Sequence, residues 1–305
     1  MKISEKLKIV KNLSGVSQEK LSQMLEVSFV TLNSWINERS IPHKKKQVVI
    51  DNLYKRYTGQ NIIPETALEA KKEMIKTKKK KYKNILKLIL ERKDLYDSIV
   101  LSFTYNTNSI EGSTLSENET ATVLFQNKAL SNKSLIEQLE AKNHQSALNY
   151  LLNYLTKSKD INEELIFKLH SILMNSIRDD AGYYRNHGVR IVGSNVPTAN
   201  YLKISKLMND LIVQIKDPKK DIITNITEIH SIFEKIHPFS DGNGRIGRLI
   251  ITAMLLKYNF PPAIIKQENK SLYYSYLSKS QIENDYSLLE DFICDAIMNG
   301  FELIE

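Results

Sequence analysis

The chain has 305 residues and 42% apolar content, enough for a substantial core and for two domains or one large domain with an appendage. Its single cysteine, Cys294, excludes an intrachain disulfide, no apolar run nears the length of a membrane span, and the amino terminus has no signal-peptide core; a soluble cytoplasmic protein with no membrane partner is expected. Charge is uneven: residues 1–94 carry 22 Lys and Arg against 10 Asp and Glu, a net +12, whereas the remainder is net −4, so a polyanion partner is expected for the first part only.

Residues 4–13, 17–26, 29–38 and 44–57 read as four short helices from their apolar spacing. Ser17 and Ser28 stand where the second and third would be capped, although Lys20 replaces the acidic residue of a full capping box. Only Glu26-Val27-Ser28 separates those two helices, which is helix-turn-helix spacing. The run from Ser17 to Pro42 resembles repressor/Cro-type DNA-binding domains. Leu21, Leu25, Val27, Leu32 and Trp35 fall where that family keeps its small core, Ser22 is the small residue at the helix crossing, and Glu26 departs from the usual glycine. The resemblance implies duplex DNA as a partner, read by the third helix. Its outward residues are Phe29, Val30, Asn33 and Asn37; the asparagines suit adenine edges and Phe29 a thymine methyl. Lys44, Lys45 and Lys46 would grip phosphates. The alternative is a helical protein-interaction module with a solvated lysine face.

Residues 58–64 read as a linker, and 65–94 as one long helical pattern whose Lys78–Lys81 and Lys83 are expected on a solvated face. The stretch from Leu101 reads as a helix ending at Gly112, with Thr107 and Glu111 at i and i+4 on one face. Residues 115–129, 132–157 and 162–178 read as helices without evident chemistry; His144 and His170 are expected in the core or on the surface rather than as ligands, and no cluster has zinc spacing. Residues 181–200 break the pattern, and Val189, Ile191 and the flanking glycines suit a short β-hairpin. Residues 201–216 and 221–236 are again helical, with His230 read as packing.

His237-Pro-Phe-Ser-Asp-Gly-Asn-Gly-Arg-Ile-Gly-Arg248 gathers a base, a carboxylate, an amide, glycines and two arginines into twelve residues. Gly242 and Gly244 let the backbone bend and bring its N–H groups to an anion. Helical spacing follows from Gly244, so the loop would sit at a helix N-terminus, where orphan N–H groups and the dipole attract phosphate. Arg245 and Arg248 share a face of that helix, Asp241 suits a magnesium ion, and His237 is the group that takes a proton near neutral pH.

This stretch resembles the signature of the Fic family, H-x-F-x-D/E-G-N-G-R-x-x-R, at every defined position. The resemblance implies transfer of AMP from ATP to a protein hydroxyl. His237 would be the general base and Asp241 the magnesium ligand; Gly242, Asn243 and Gly244 would cradle the anion, and Arg245 and Arg248 would hold the ATP phosphates. A branch that phosphorylates its targets has a bulkier residue at the place of Gly244, so the glycine favours nucleotidyl transfer. Thr107-x-x-x-Glu111-Gly112 in turn resembles the inhibitory motif S/T-x-x-x-E-G/N of one Fic class, which implies that Glu111 pairs with Arg248 and keeps the γ-phosphate from seating. Gly182 and Arg185 match the region of the family's β-hairpin flap, which clamps the target segment. Relatives stack adenine near an aromatic after the signature, where Tyr273 and Tyr274 stand; either could do so or be core.

The expected protein is therefore all-α with one small hairpin. It comprises a helix-turn-helix domain over 1–57, a basic connector over 58–94 and a Fic domain over 95–305. ATP and magnesium are the expected cofactors, a protein with an accessible Tyr, Thr or Ser hydroxyl is the expected target, and a homodimer is left open. The rival functions are removal of AMP with Glu111 placing a water, and a DNA-binding regulator whose Fic domain senses nucleotide.

Overall fold

The computed structural model describes residues 1–126, 128–158, 160–191, 195–218 and 220–305. Fifteen α-helices follow one another among the described residues: α1 (Ile3–Ser14), α2 (Gln18–Met24), α3 (Phe29–Ile36), α4 (Lys44–Tyr57), α5 (Glu65–Lys79), α6 (Ile85–Glu91), α7 (Lys93–Glu111), α8 (Glu117–Phe125), α9 (Leu135–Lys157), α10 (Glu163–Leu173), α11 (Ile204–Lys216), α12 (Ile222–Ile236), α13 (Asn243–Lys257), α14 (Lys270–Glu283) and α15 (Ser287–Ile304). The all-α class expected from the sequence is the class found. Among the described residues no helix is long and apolar enough to cross a membrane.

The first four helices close on Leu7, Val10, Leu21, Leu25, Leu32, Trp35 and Ile50, all buried. Ser17 and Ser28 cap α2 and α3 as their positions predict, accepting from Lys20 N–H and Thr31 N–H at 3.1 Å each. Glu26 takes the left-handed conformation (φ 52°) that glycine adopts without penalty, so the turn is formed in spite of the substitution at a strain of about 1 kcal/mol. Lys46 steadies it, donating to Leu25 O at 2.6 Å and lying 3.7 Å from the Glu26 carboxylate.

Two expectations for the connector are corrected. The predicted helix over 65–94 is broken: α5 stops at Lys79, Asn84 caps α6, and a separate α7 begins at Lys93. Asn259, far along the chain, serves the break through its side chain, accepting from Ile85 N–H and donating to Tyr82 O at 2.8 Å each. Part of the lysine run is also turned inward. Lys78 lies 3.1 Å from Glu305 and over the Phe301 ring, and Lys79 donates to Tyr258 O at 2.9 Å from above Phe260. Lys71 holds Asp291 and Asp295, Lys76 holds Asp221, and the buried Lys72 reaches Glu290 at 2.9 Å. Lys80, Lys81 and Lys83 remain on the surface. The connector is thus an electrostatic seam along α12 and α15, and its lysines bury their stems against apolar surface.

The first four helices are likewise fastened to the rest through α14. Ser271 Oγ donates to Ser14 O at 3.0 Å, Tyr276 OH to Arg56 O at 3.1 Å and Lys279 Nζ to Gly59 O at 2.9 Å. At the centre lies α13, buried from Asn243 to Leu256 except at Gly244, with α7, α9, α10 and α12 packed around it. A helix buried on every side belongs in a core, and between its first residue and Leu256 this one opens to solvent only at Gly244, near its N-terminus.

The hairpin expected within 181–200 is not formed as strands among the described residues, and 192–194 lie outside them. Val189 and Ile191 are half-buried, and the two arms meet where Thr198 Oγ1 donates to Val189 O at 2.7 Å. The segment is held by a side chain instead of a ladder. Arg185, 3% exposed, donates to the carbonyls of His187, Ala199 and His237 at 2.6–2.7 Å.

Candidate active site

The signature loop joins α12 to α13 through two left-handed residues, His237 (φ 51°) and Gly242 (φ 75°). His237 ends α12, its N–H bonding Phe233 O at 2.9 Å. Its Nδ1 lies 3.2 Å from Glu234 O, an acceptor only, so Nδ1 carries the proton and Nε2 keeps a free lone pair. Burial lowers its pKa below the ordinary histidine value, which keeps that lone pair available near neutral pH.

Asn243 does not turn its side chain to an anion. Its amide closes the loop on itself, accepting from Phe239 N–H and donating to Phe239 O at 2.9 Å each. What the N-terminus of α13 presents is backbone: the N–H groups of Asn243, Gly244 and Arg245 are the orphan donors of a helix start. Asp241 lies beside them with its side chain 52% exposed, its Oδ1 accepting from Gly242 N–H at 2.6 Å and lying 3.8 Å from Arg245 Nη2. Among the described residues no three His, Cys, Asp or Glu side chains converge to hold a metal. One carboxylate at the rim of a helix N-terminus nonetheless fits magnesium, which takes one or two carboxylates and completes its shell with phosphate and water.

Both arginines are buried and both meet a carboxylate. Arg245 Nη1 lies 2.8 Å from Glu140 on α9, a partner without any signal in the sequence. Arg248 is forked into the end of α7: Nε donates to Thr107 Oγ1 at 2.5 Å, Nη2 to Thr107 O at 3.2 Å and to Glu111 Oε1 at 2.5 Å. Thr107 and Glu111 thus meet Arg248 as the six-residue pattern implied, and Gly112 ends α7 in the left-handed conformation. Burial raises the Glu111 pKa, but Arg248, with Arg245 and Lys270 beyond it, outweighs this and holds the carboxyl below its usual value. Arg248 Nη1 remains unpartnered in the interior, as does Oε1 of the buried Glu234 below it. Burial drives the Glu234 pKa up to about 8, so this carboxyl is largely neutral at pH 7.

The two tyrosines separate. Tyr273 is 1% exposed, shares a 2.6 Å hydrogen bond with His230 and sets its ring 5.9 Å from the Arg248 guanidinium; it is core. Tyr274 is 36% exposed, beside the end of α7. Within the first four helices and the turns between them, Phe29, Asn37, Lys44 and Lys45 are exposed, while Asn33 is half-buried and takes bonds from Gln18 and Asn37.

Residues 160–255, which include the whole signature, match the Fic/DOC family model. Among curated proteins, it is 29% identical over 255 residues to the protein adenylyltransferase Fic of Nematostella vectensis, covering 76% of this chain and 58% of that protein. It is 31% identical over 181 residues to the protein adenylyltransferase fic-1 of Caenorhabditis elegans, covering 57% of this chain and 35% of that one. The chain therefore matches well under two thirds of these relatives' length. Among solved structures, residues 134–508 of C. elegans Fic-1 superpose with a TM-score of 0.67 at 19% identity, over 98% of this chain and 96% of that one. A Fic-domain signalling protein of Bacteroides thetaiotaomicron superposes with a TM-score of 0.65 at 22% identity, over 77% of this chain and 97% of that one. The helical fold is that of the Fic proteins.

Proposed function

We propose that this protein is an adenylyltransferase that moves AMP from ATP to a Tyr, Thr or Ser hydroxyl of a target protein, itself included, and that Glu111 restrains it. The observation that carries the reading is the free Nε2 of His237 on the same short loop as the unpartnered N–H groups that open α13. His237 takes the hydroxyl proton, the oxygen attacks the α-phosphorus, and the bond to the β-phosphate oxygen breaks, releasing pyrophosphate. The helix N-terminus and Arg245 meet the phosphate charge. Magnesium, with Asp241 as its protein ligand, would neutralise phosphate charge. The exposed Tyr274 is the adenine-side candidate, and the 181–200 segment, with Val189 and Ile191, receives the target chain. The names of the curated relatives support this reading.

Restraint follows from occupancy: a guanidinium forked onto Thr107 and Glu111 is not free to fork onto the γ-phosphate. The pair closes within one chain, so it needs no second copy. Labelled ATP with magnesium, given to the protein with and without Glu111→Gly, tests the reading; no transfer by either protein to itself or to lysate proteins sinks it. Loss of AMP from a labelled target that depends on Glu111 would replace it with the reverse reaction.

Residues 1–57 are read as a binder of duplex DNA through α3, Lys44 and Lys45, supported by the capped helices, the closed core and the net charge of +12 over residues 1–94. The lack of any basic residue in α3 and the exposed Phe29 and Val30 keep a protein-interaction module as the competitor. The cytoplasmic placement rests on the single, free Cys294.

A further inference from the structure

His170 lies outside the signature, on α10, and is 1% exposed. A histidine there has a bland reading, a core ring with its polar atoms satisfied. Its partners argue otherwise, because both nitrogens are spent on the backbone of the site. Gly182 N–H donates to Nδ1 at 2.8 Å. A ring nitrogen that accepts carries no proton, so the proton of the neutral ring is on Nε2, which then donates to the carbonyl oxygen of Asp241 at 3.1 Å. The ring also lies flat on Phe239, with centroids 3.8 Å apart and 8° between planes.

Each contact is fixed from its other end. Gly182 takes φ 89°, and a Cβ there would stand 3.0 Å from Ser171 Cβ, so glycine lets the N–H press onto the ring. Phe239 is the residue that Asn243 clamps through both backbone groups. Asp241 sits between the left-handed His237 and Gly242, and the imidazole is what ties its carbonyl to α10.

We propose that His170 is a positioning residue: in its Nε2–H form it holds the Asp241 backbone so that the carboxylate meets magnesium on the ATP phosphates, and it couples that position to the 181–200 segment that receives the target. This rests on the adenylyl-transfer reading. Groups that orient a metal ligand from behind typically change metal affinity 10–100-fold when lost.

The experiment uses the full chain with Glu111→Gly, so that Arg248 is free, and adds His170→Gln, His170→Asn or His170→Phe. A Gln amide nitrogen reaches the place of Nε2 and keeps the bond to Asp241. An Asn oxygen reaches the place of Nδ1 and keeps the bond to Gly182. Phe keeps only the stack on Phe239. ATP binding is titrated with magnesium by calorimetry, and Tm is recorded for each protein. His170→Asn and His170→Phe should raise the magnesium concentration at half-saturation about tenfold or more, with His170→Gln within about threefold of the parent. Equal half-points in all three, or shifts that merely follow Tm, would overturn the proposal. Should the variants not fold, the ring nitrogen signals of His170 in the unsubstituted protein decide: the Nε2–H form is required, and the Nδ1–H form overturns it. A Glu111→Gly parent without magnesium-dependent ATP binding sinks the adenylyl-transfer reading and this role together; a normal parent with unmoved variants sinks this role alone.

Discussion

Glu111 Oε1 stands 2.5 Å from Arg248 Nη2, in the space that a side chain at Gly244 would occupy. One glycine thereby admits the Glu111 carboxylate and, on the proposed reading, the phosphate that must displace it. Releasing Arg248 should therefore raise activity: Glu111→Gly is expected to increase self-labelling about a hundredfold, equivalent to about 2.7 kcal/mol. Arg248→Ala should not activate, and added to Glu111→Gly it should lower the rate, because the phosphate grip is lost with the brake. Self-labelling unchanged by Glu111→Gly would remove the carboxylate from the account.

Gly244→Ala is the reciprocal probe. Ala is favoured over Gly in a helix by about 1 kcal/mol, but here its methyl would collide with the Glu111 carboxylate and lie 3.1 Å from Arg248 Nη1. Gly244→Ala alone should lower Tm, while in the Glu111→Gly protein it should raise Tm. Additive effects across the four proteins would show that the two sites do not meet.

His237→Ala should lower transfer about 10²–10⁴-fold while ATP still binds. Because burial lowers the His237 pKa, the base is lost by protonation only below the ordinary histidine range. The acid limb of kcat in the Glu111→Gly protein should accordingly fall below about pH 6.5. An acid limb above that value would assign the base to another group.

Stability should peak near pH 6.5. Burial lowers His144 and His230 to about 3 and His170 to about 4, so the unfolded chain binds protons that the folded one refuses, and stability falls as pH drops below the unfolded histidine value. Glu234, raised to about 8, acts in the opposite sense: it is protonated when folded and ionised when unfolded above about pH 4.5, so it costs stability as pH rises to 8. Each such group is worth about 1.4 kcal/mol per pH unit at most, and the histidines outnumber the carboxyl below pH 6.5. Glu234→Gln should flatten the decline between pH 6.5 and 8 in a Tm series; an unchanged alkaline slope would mean that Glu234 is ionised in the fold.

The full chain should bind duplex DNA with an affinity that falls as salt rises, and Asn33→Ala should erase sequence preference without changing the salt slope. Gel-shift titration at low salt against genomic fragments checks this, and no shift at all favours the protein-interaction module.

The features legible in the sequence were the local ones. The Ser17 and Ser28 caps, the Gly112 terminus and the signature loop each depend on residues within a turn or two of one another. The Glu111–Arg248 pair spans 137 positions and was still legible, because two short patterns named its ends. What stayed hidden came from side chains without a local signature. Asn259 breaks the 65–94 helix from 174 positions away, overriding helical propensity with two hydrogen bonds. Glu140 is one carboxylate on a long helix until Arg245 arrives beside it, and a lysine run reads as solvated until Glu305 meets Lys78 and the Tyr258 carbonyl meets Lys79. The 181–200 segment read as a hairpin from its glycines and β-branched residues, whereas the buried Arg185 ties it together through the carbonyls of His187 and Ala199 and to the signature loop through that of His237.

The fastening of Ser14, Arg56 and Gly59 to α14 has a consequence for how the molecule searches for its partners. A catalytic unit on a flexible tether sweeps a volume set by tether length, and its effective concentration near a docked target is diluted accordingly. Here the amino-terminal helices and the mouth of α13 diffuse and turn as one particle. Any surface that captures the first 57 residues also fixes the compass direction of His237, so the hydroxyls within its reach become a fixed arc around the capture point rather than a cloud.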